Sequence, residues 1–82
     1  MNFKKKIRVG IAGYGLIGKV RFKELKKNKN VKVICVSDKI FSNKLEKKKF
    51  KELKKVIIYD NFKDVINQRV DAVFVCLPNK FA

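Results

Sequence analysis

The feature that most constrains this chain is the stretch Ile7-Arg8-Val9-Gly10-Ile11-Ala12-Gly13-Tyr14-Gly15-Leu16-Ile17-Gly18. A short apolar run passes through a cluster of glycines into a helical pattern. Gly13, Gly15 and Gly18 stand at the spacing G-x-G-x-x-G, the fingerprint of a strand–turn–helix unit that holds a dinucleotide. Gly13 is expected to let the chain turn sharply out of the strand. Gly15, having no Cβ, leaves room for a pyrophosphate, in a backbone conformation expected to favour glycine. Gly18 lets the helix pack closely on the strand it has left. Tyr14, Leu16 and Ile17 complete the loop, with the pyrophosphate placed over free N–H groups at the positive end of the helix dipole.

Glycine turns serve many backbones, so the context carries the weight. Val31 to Ser37 reads as a second strand, apolar enough for burial on both faces, as in a parallel sheet. Asp38 follows it, twenty positions after Gly18, where a carboxylate accepts hydrogen bonds from the adenosine ribose. The competing reading is an aspartate that only closes a turn. The order strand, glycine turn, helix, strand, acid favours the ribose.

Eighty-two residues hold one small domain, and 46% hydrophobic composition supports a folded core. Cys35 and Cys76 lie in apolar runs and read as buried thiols rather than a disulfide or metal pair. The chain has no histidine, so neither a zinc site nor a histidine base is expected in it. A reducing cytoplasmic setting fits. Met1 to Lys6 has the charge of a signal-peptide start, but the apolar segment behind it is broken by Arg8 and glycines. The longest apolar run, Ala72 to Leu77, is six residues against the ~20 a membrane helix needs. Neither export nor a membrane span is expected.

A net charge of +15 raises the question of nucleic acid. Of the 22 basic residues only three are arginine, and the lysines are densest from Lys44 to Lys55. Nucleic-acid surfaces combine basic groups with arginines and free aromatic rings. Here the phenylalanines sit where a core wants them. The charge is read as a solvated surface, with a small basic module for nucleic acid or anionic surfaces as the alternative.

Beyond the glycine turn, Leu16, Ile17, Val20 and Leu25 recur at near-helical spacing and predict an amphipathic helix with those residues inward. Phe41, Leu45, Phe50 and Leu53 suggest one lysine-rich helix from near Ser42, at an imperfect period. Lys55 to Tyr59 reads as a strand broken by Asp60-Asn61, and Asn61 as the cap of a short helix carrying Phe62, Val65 and Ile66 inward, with Asp64 in its first turn. Ala72 to Leu77 is a fourth strand, by composition the most buried, stopped by Pro78-Asn79. Strands alternating with helices predict an α/β, Rossmann-type parallel sheet of about four strands in order 3-2-1-4, a partial dinucleotide domain spanning 1–82. Its fourth strand would be an uncovered apolar edge, a route to self-association. The chain reads as the front part of a larger protein.

The glycine turn, the Val-Ser-Asp closing the second strand, and Asp71-Ala-Val-Phe-Val-Cys-Leu-Pro-Asn79 together resemble the amino-terminal domain of the Gfo/Idh/MocA oxidoreductases, from Lys6 to Asn79. The resemblance implies that Gly13 to Gly18 hold the pyrophosphate and Asp38 the ribose. Leu77, Pro78 and Asn79 would lie beside the nicotinamide ribose. It implies hydride transfer between NAD, or NADP, and a sugar or cyclitol hydroxyl or ketone, in a full-length parent. Two departures stand out. A histidine common in the family three residues after that asparagine is here Ala82, and the family's Glu-Lys-Pro element and substrate domain have no counterpart. No catalytic residue is assigned. A flavin or S-adenosylmethionine ligand is a further reading of the glycine turn, and Pro78-Asn79 fits the nicotinamide family better.

Overall fold

The computed structural model describes residues 6–77. Their elements are β1 (Ile7–Ala12), α1 (Leu16–Lys26), β2 (Val31–Ser37), α2 (Lys44–Lys48), β3 (Ile57–Tyr59), α3 (Phe62–Ile66) and β4 (Ala72–Val75). Short 3-10 turns at Lys39–Ser42 and Lys51–Leu53 flank α2. The strands form one parallel sheet in the order β3-β2-β1-β4, as the alternation of strands and helices predicts. The chain therefore steps outward from β1 to β3, then returns to the far side of β1 through α3. The reversal leaves a crevice beyond the carboxyl ends of the strands, where doubly wound sheets bind ligands.

The sheet separates two apolar layers. One gathers Ile11, Tyr14, Phe22, Val36, Phe41 and Leu53 beneath α1 and the 39–53 excursion. The other joins Ile34 and Cys35 to Val65 of α3. β1 and β2 run in register to Val9↔Val33 and resume at Gly10↔Cys35, so Ile34 is an extra residue bulged out of the ladder. Gly10 serves this second layer. A Cβ there would lie 2.6 Å from Val65 Cγ1 and 3.1 Å from Cys35 Sγ, so the glycine lets α3 approach the sheet. The start of β4 is clamped to β1 by Asp71, whose carboxylate accepts the Arg8 N–H at 2.8 Å while its own N–H donates to the Arg8 carbonyl at 2.7 Å.

Four details differ from the sequence pattern. On α1 the inward residues are Gly18, Phe22 and Leu25, spaced i, i+4, i+7, whereas Leu16, Ile17 and Val20 are exposed. Gly18 must lie against the Gly13 carbonyl, and that contact sets the rotation of the whole helix. The single helix expected after Ser42 is instead three short turns, broken at Asn43 and Phe50. Phe41 and Leu53 are buried, but Leu45 is 72% exposed. Asn43 breaks the run because its side chain accepts the N–H groups of Leu45 and Glu46 and starts a new helix. α3 is capped by Asn61 as expected, yet its five residues bury only Val65 and leave Phe62 and Ile66 exposed.

β4 is the last departure: it is the edge of the sheet among the described residues, and Val75 is 70% exposed. Its apolar composition predicts a central strand, but among the described residues only β1 pairs with it. Its expected exposure as an edge, by contrast, is what is found.

Candidate functional site

The three glycines of the turn do three different things. Gly13 has φ +105°, a conformation side chains rarely adopt, and a Cβ on it would sit 2.6 Å from the Cys76 carbonyl oxygen. Gly18 faces inward, where a Cβ would overlap the carbonyl oxygen of Gly13. Gly15 is unlike both. Its φ of −76° is open to any residue, which corrects the expectation of a glycine-only backbone there. A Cβ on Gly15 would meet no protein atom within 4 Å. The protein therefore has no internal need for a glycine at this position, and the open space above it faces the start of α1.

That helix start is unoccupied by side chains. Gly15 is the N-cap residue, no side chain caps the helix, and its first turn carries no acid. The first helical hydrogen bond runs from the Lys19 N–H to the Gly15 carbonyl at 2.9 Å, which leaves the preceding amides facing outward. An eleven-residue helix with uncapped amides and a bare glycine before them fits an anionic pyrophosphate.

Asp38 stands opposite. Its Oδ2 accepts the Tyr14 N–H at 2.7 Å and its Oδ1 accepts the Ile40 N–H at 3.0 Å. Two backbone donors thus fix the carboxylate at the end of β2, each oxygen keeping a lone pair for a further donor. Beyond the carboxyl ends of the strands opens a crevice of about 460 Å³ lined by Gly13, Ser37, Asp38, Lys39, Asp60, Asn61, Phe62 and Leu77. The structure thereby brings Gly13, Asp38 and Leu77 to one cavity, with Gly15, Leu16 and Ile17 at the adjacent helix start. Pro78 and Asn79 lie outside the described residues.

Tyr14 takes a different part from the other loop residues. Its side chain is buried, with ring contacts to Phe22, Phe41 and Phe50, and its hydroxyl donates to Glu52 Oε2 at 2.7 Å. Burial, and then the neighbouring carboxylate, push the phenol well above its ordinary value. For Glu52 burial works upward, but the Tyr14 hydroxyl, a backbone amide, and Lys19 and Lys23 together hold its carboxyl below the usual range. Tyr14 is an anchor of the turn rather than a side chain offered to a ligand. Burial also raises both cysteine thiols, and among the described residues no cluster of histidine, cysteine and carboxylate could hold a metal.

Sequence reasoning missed the far wall of the crevice. Asp60, Asn61 and Phe62 read as a strand breaker, a cap and a core residue. The strand order was the available signal, because it sets the loop after β3 beside the end of β2. Ser37 was passed over as part of a strand. It is 1% exposed, and its hydroxyl oxygen has no hydrogen-bond partner among the described residues.

A second groove, of about 630 Å³, shares no residue with the crevice. Lys47, Lys48, Lys51 and Lys54 border it over Phe50, Leu53, Val56 and Ile58.

A parallel sheet in this order, with its glycine turn at the point of reversal, is a Rossmann-type NAD-binding domain. The chain belongs to the GFO_IDH_MocA oxidoreductase family with an NAD-binding Rossmann fold, whose model matches residues 7–82. It is similar to apo scyllo-inositol dehydrogenase from Lactobacillus casei, with a TM-score of 0.76 and 27% identity over 95% of this chain and 23% of that one. The same enzyme with bound NAD(H) and scyllo-inositol aligns at TM-score 0.75 and 26% identity, over 94% of this chain and 23% of that one. The myo-inositol 2-dehydrogenase of Lactobacillus plantarum gives TM-score 0.71 and 28% identity, over 90% and 22% respectively. The chain thus spans about a quarter of the length of these relatives. No curated protein sequence matches it. Among the described residues no helix is long and apolar enough to cross a membrane.

Proposed function

We propose that this chain binds NAD across the carboxyl ends of β1 and β2, as the cofactor-holding portion of a cytoplasmic oxidoreductase acting on a sugar or cyclitol. When bound, the nicotinamide accepts or supplies the hydride exchanged with a hydroxyl or keto carbon. The chain's own residues bind and orient. The amides of Leu16, Ile17 and Gly18 receive the pyrophosphate over the bare Gly15, and Asp38 receives the adenosine ribose. Leu77, Pro78 and Asn79 are assigned to the nicotinamide ribose. Proton transfer to the substrate needs an acid or base that these residues do not supply.

The observation that carries this reading is the combination, at the neighbouring carboxyl ends of β1 and β2, of a spare space above Gly15 and a carboxylate held by two amides. The relative solved with NAD(H) and scyllo-inositol supports the choice of cofactor and substrate class. Asp38 favours NAD over NADP, since a 2′-phosphate would face its charge. Lys39 lines the same crevice and attracts that phosphate, but an exposed pair is worth only ~0–1 kcal/mol. Calorimetric titration of the chain with NADH is the test: saturable binding that Gly15→Val removes supports the reading, and no binding refutes it.

The lysine groove favours a second reading, a polyanion-binding surface. Affinity for a polyanion that falls steeply with salt, alongside no response to NADH, would select it.

A further inference from the structure

We propose that the lysine-rimmed groove beside β3 is a docking site for an acidic protein segment that also carries apolar side chains. The proposal rests on the groove's reading as an anion-binding surface and names the class of partner. It does not compete with the crevice, because the two share no residue and both can be filled at once.

Two kinds of surface meet in this groove. Lys47, Lys48, Lys51 and Lys54 are exposed along its border, while Phe50, Val56 and Ile58 are half-buried and Leu53 is buried beneath them. The four ammonium groups have no carboxylate of their own among the described residues. Glu46 pairs with Lys49 at 3.0 Å, and Glu52 accepts the Tyr14 hydroxyl at 2.7 Å. Like charges gathered on one groove repel one another, and an anionic partner relieves that repulsion.

The apolar floor decides which anion fits. Nucleic acid would bring phosphates to the lysines, but its bases need a free aromatic face. The Phe50 ring is already engaged, at steep angles to Tyr14 and Phe41 with centroids 5.4 Å away and with the Lys19 ammonium 5.1 Å over it. A membrane is too broad to enter a groove of about 630 Å³. A second copy of the chain supplies little acidic surface, with seven acids against 22 basic residues. An acidic segment with leucine or phenylalanine side chains satisfies both parts: its carboxylates meet the lysines and its apolar groups cover the floor.

The neighbouring strand adds an independent reason for a protein partner. β3, which supplies Ile58, is an edge of the sheet and pairs only with β2 among the described residues. A peptide backbone can extend the ladder at such an edge, whereas nucleic acid and lipid cannot.

The test titrates the 82-residue chain with a fluorescent peptide of about ten residues, glutamates interspersed with leucine and phenylalanine. A second peptide keeps the charge and has serine at every apolar position. A single-stranded oligonucleotide and phosphatidylserine vesicles are the other probes, and the double variant Lys48→Glu, Lys51→Glu is compared with the parent. Both lysines are exposed, so the variant should melt within a few degrees of the parent. The apolar acidic peptide should bind at least about tenfold more tightly than the serine peptide, the effect of covering two apolar side chains in part. Charge reversal should cost about tenfold of that affinity. Added salt should weaken the peptide less steeply than the oligonucleotide, because the apolar contribution is not screened.

Equal affinity for the two peptides overturns the proposal and leaves a general anion surface. Tighter binding of the oligonucleotide or the vesicles overturns it in favour of those partners. So does a failure of the apolar peptide to bind, or binding that charge reversal leaves unchanged. Titration with NADH in the presence of the peptide keeps the two sites apart. NADH binding should be unaffected, and its absence beside intact peptide binding refutes the dinucleotide reading alone.

Discussion

The Asp38 carboxylate accepts the backbone N–H of Tyr14 at 2.7 Å, joining the end of β2 to the middle of the glycine turn. The Tyr14 ring is meanwhile held in the aromatic cluster of Phe22, Phe41 and Phe50, and its hydroxyl reaches Glu52. Acid, turn and the 39–53 excursion are thus one connected unit. The carboxylate that would take a ribose is oriented before any ligand arrives, which reduces the ordering cost of binding.

Gly15→Val should abolish NADH binding and leave the fold intact. The added side chain meets no protein atom near its Cβ and needs no unusual φ, so its bulk lies where the pyrophosphate would be. Calorimetry shows the loss, and a melting temperature within a few degrees of the parent shows that it is local.

Gly13→Ala should do the reverse and damage the fold. Its φ of +105° and the 2.6 Å approach to the Cys76 carbonyl give strain of about 1–3 kcal/mol, with the clash in addition. Chemical denaturation would detect it as a lower midpoint at an unchanged slope.

Replacing Asp38 by alanine should weaken NADH binding and erase a preference for NADH over NADPH of about tenfold, the result of like charges meeting at intermediate dielectric. The paired affinities decide it. Equal affinities in the parent, unchanged by the substitution, would leave Asp38 as the cap of the Lys39–Ser42 turn and nothing more.

Tyr14→Phe should cost about 0.5–1.5 kcal/mol at neutral pH, one hydrogen bond with the ring packing kept. The phenol's folded value is raised, so its contribution is complete below the unfolded value near 10 and declines as pH rises beyond it. The Glu52 carboxyl is lowered, so its contribution is present above the unfolded value near 4.3 and is lost as pH falls through the lower folded one. Glu52 is solvent-exposed, so the acid limb is small. Denaturation of both proteins across pH should show the gap narrowing at both extremes.

The 82-residue chain should associate through β4, whose edge, free among the described residues, carries the exposed Val75. Sedimentation over a concentration series is the measurement. A monomer at all concentrations would show that the edge is protected.

The sequence by itself determined the alternation of strands with helices, the glycine turn, Asp38 at the end of β2 and the Asn61 cap. Each of these is local: a spacing, a backbone requirement or a side chain reaching its own neighbours. What only the tertiary structure decided was facing and partnership. Gly18 against the Gly13 carbonyl turns α1 so that Phe22 goes in and Leu16 stays out, an outcome no hydrophobic count along the helix contains. Tyr14 finds Glu52 across 38 positions, and Ser37 meets the loop after β3 only because β3 pairs beside β2. Periodicity reports which residues could be buried. Which of them are buried, and what they touch, depends on contacts between segments far apart in the chain, and those exist only once the sheet has assembled.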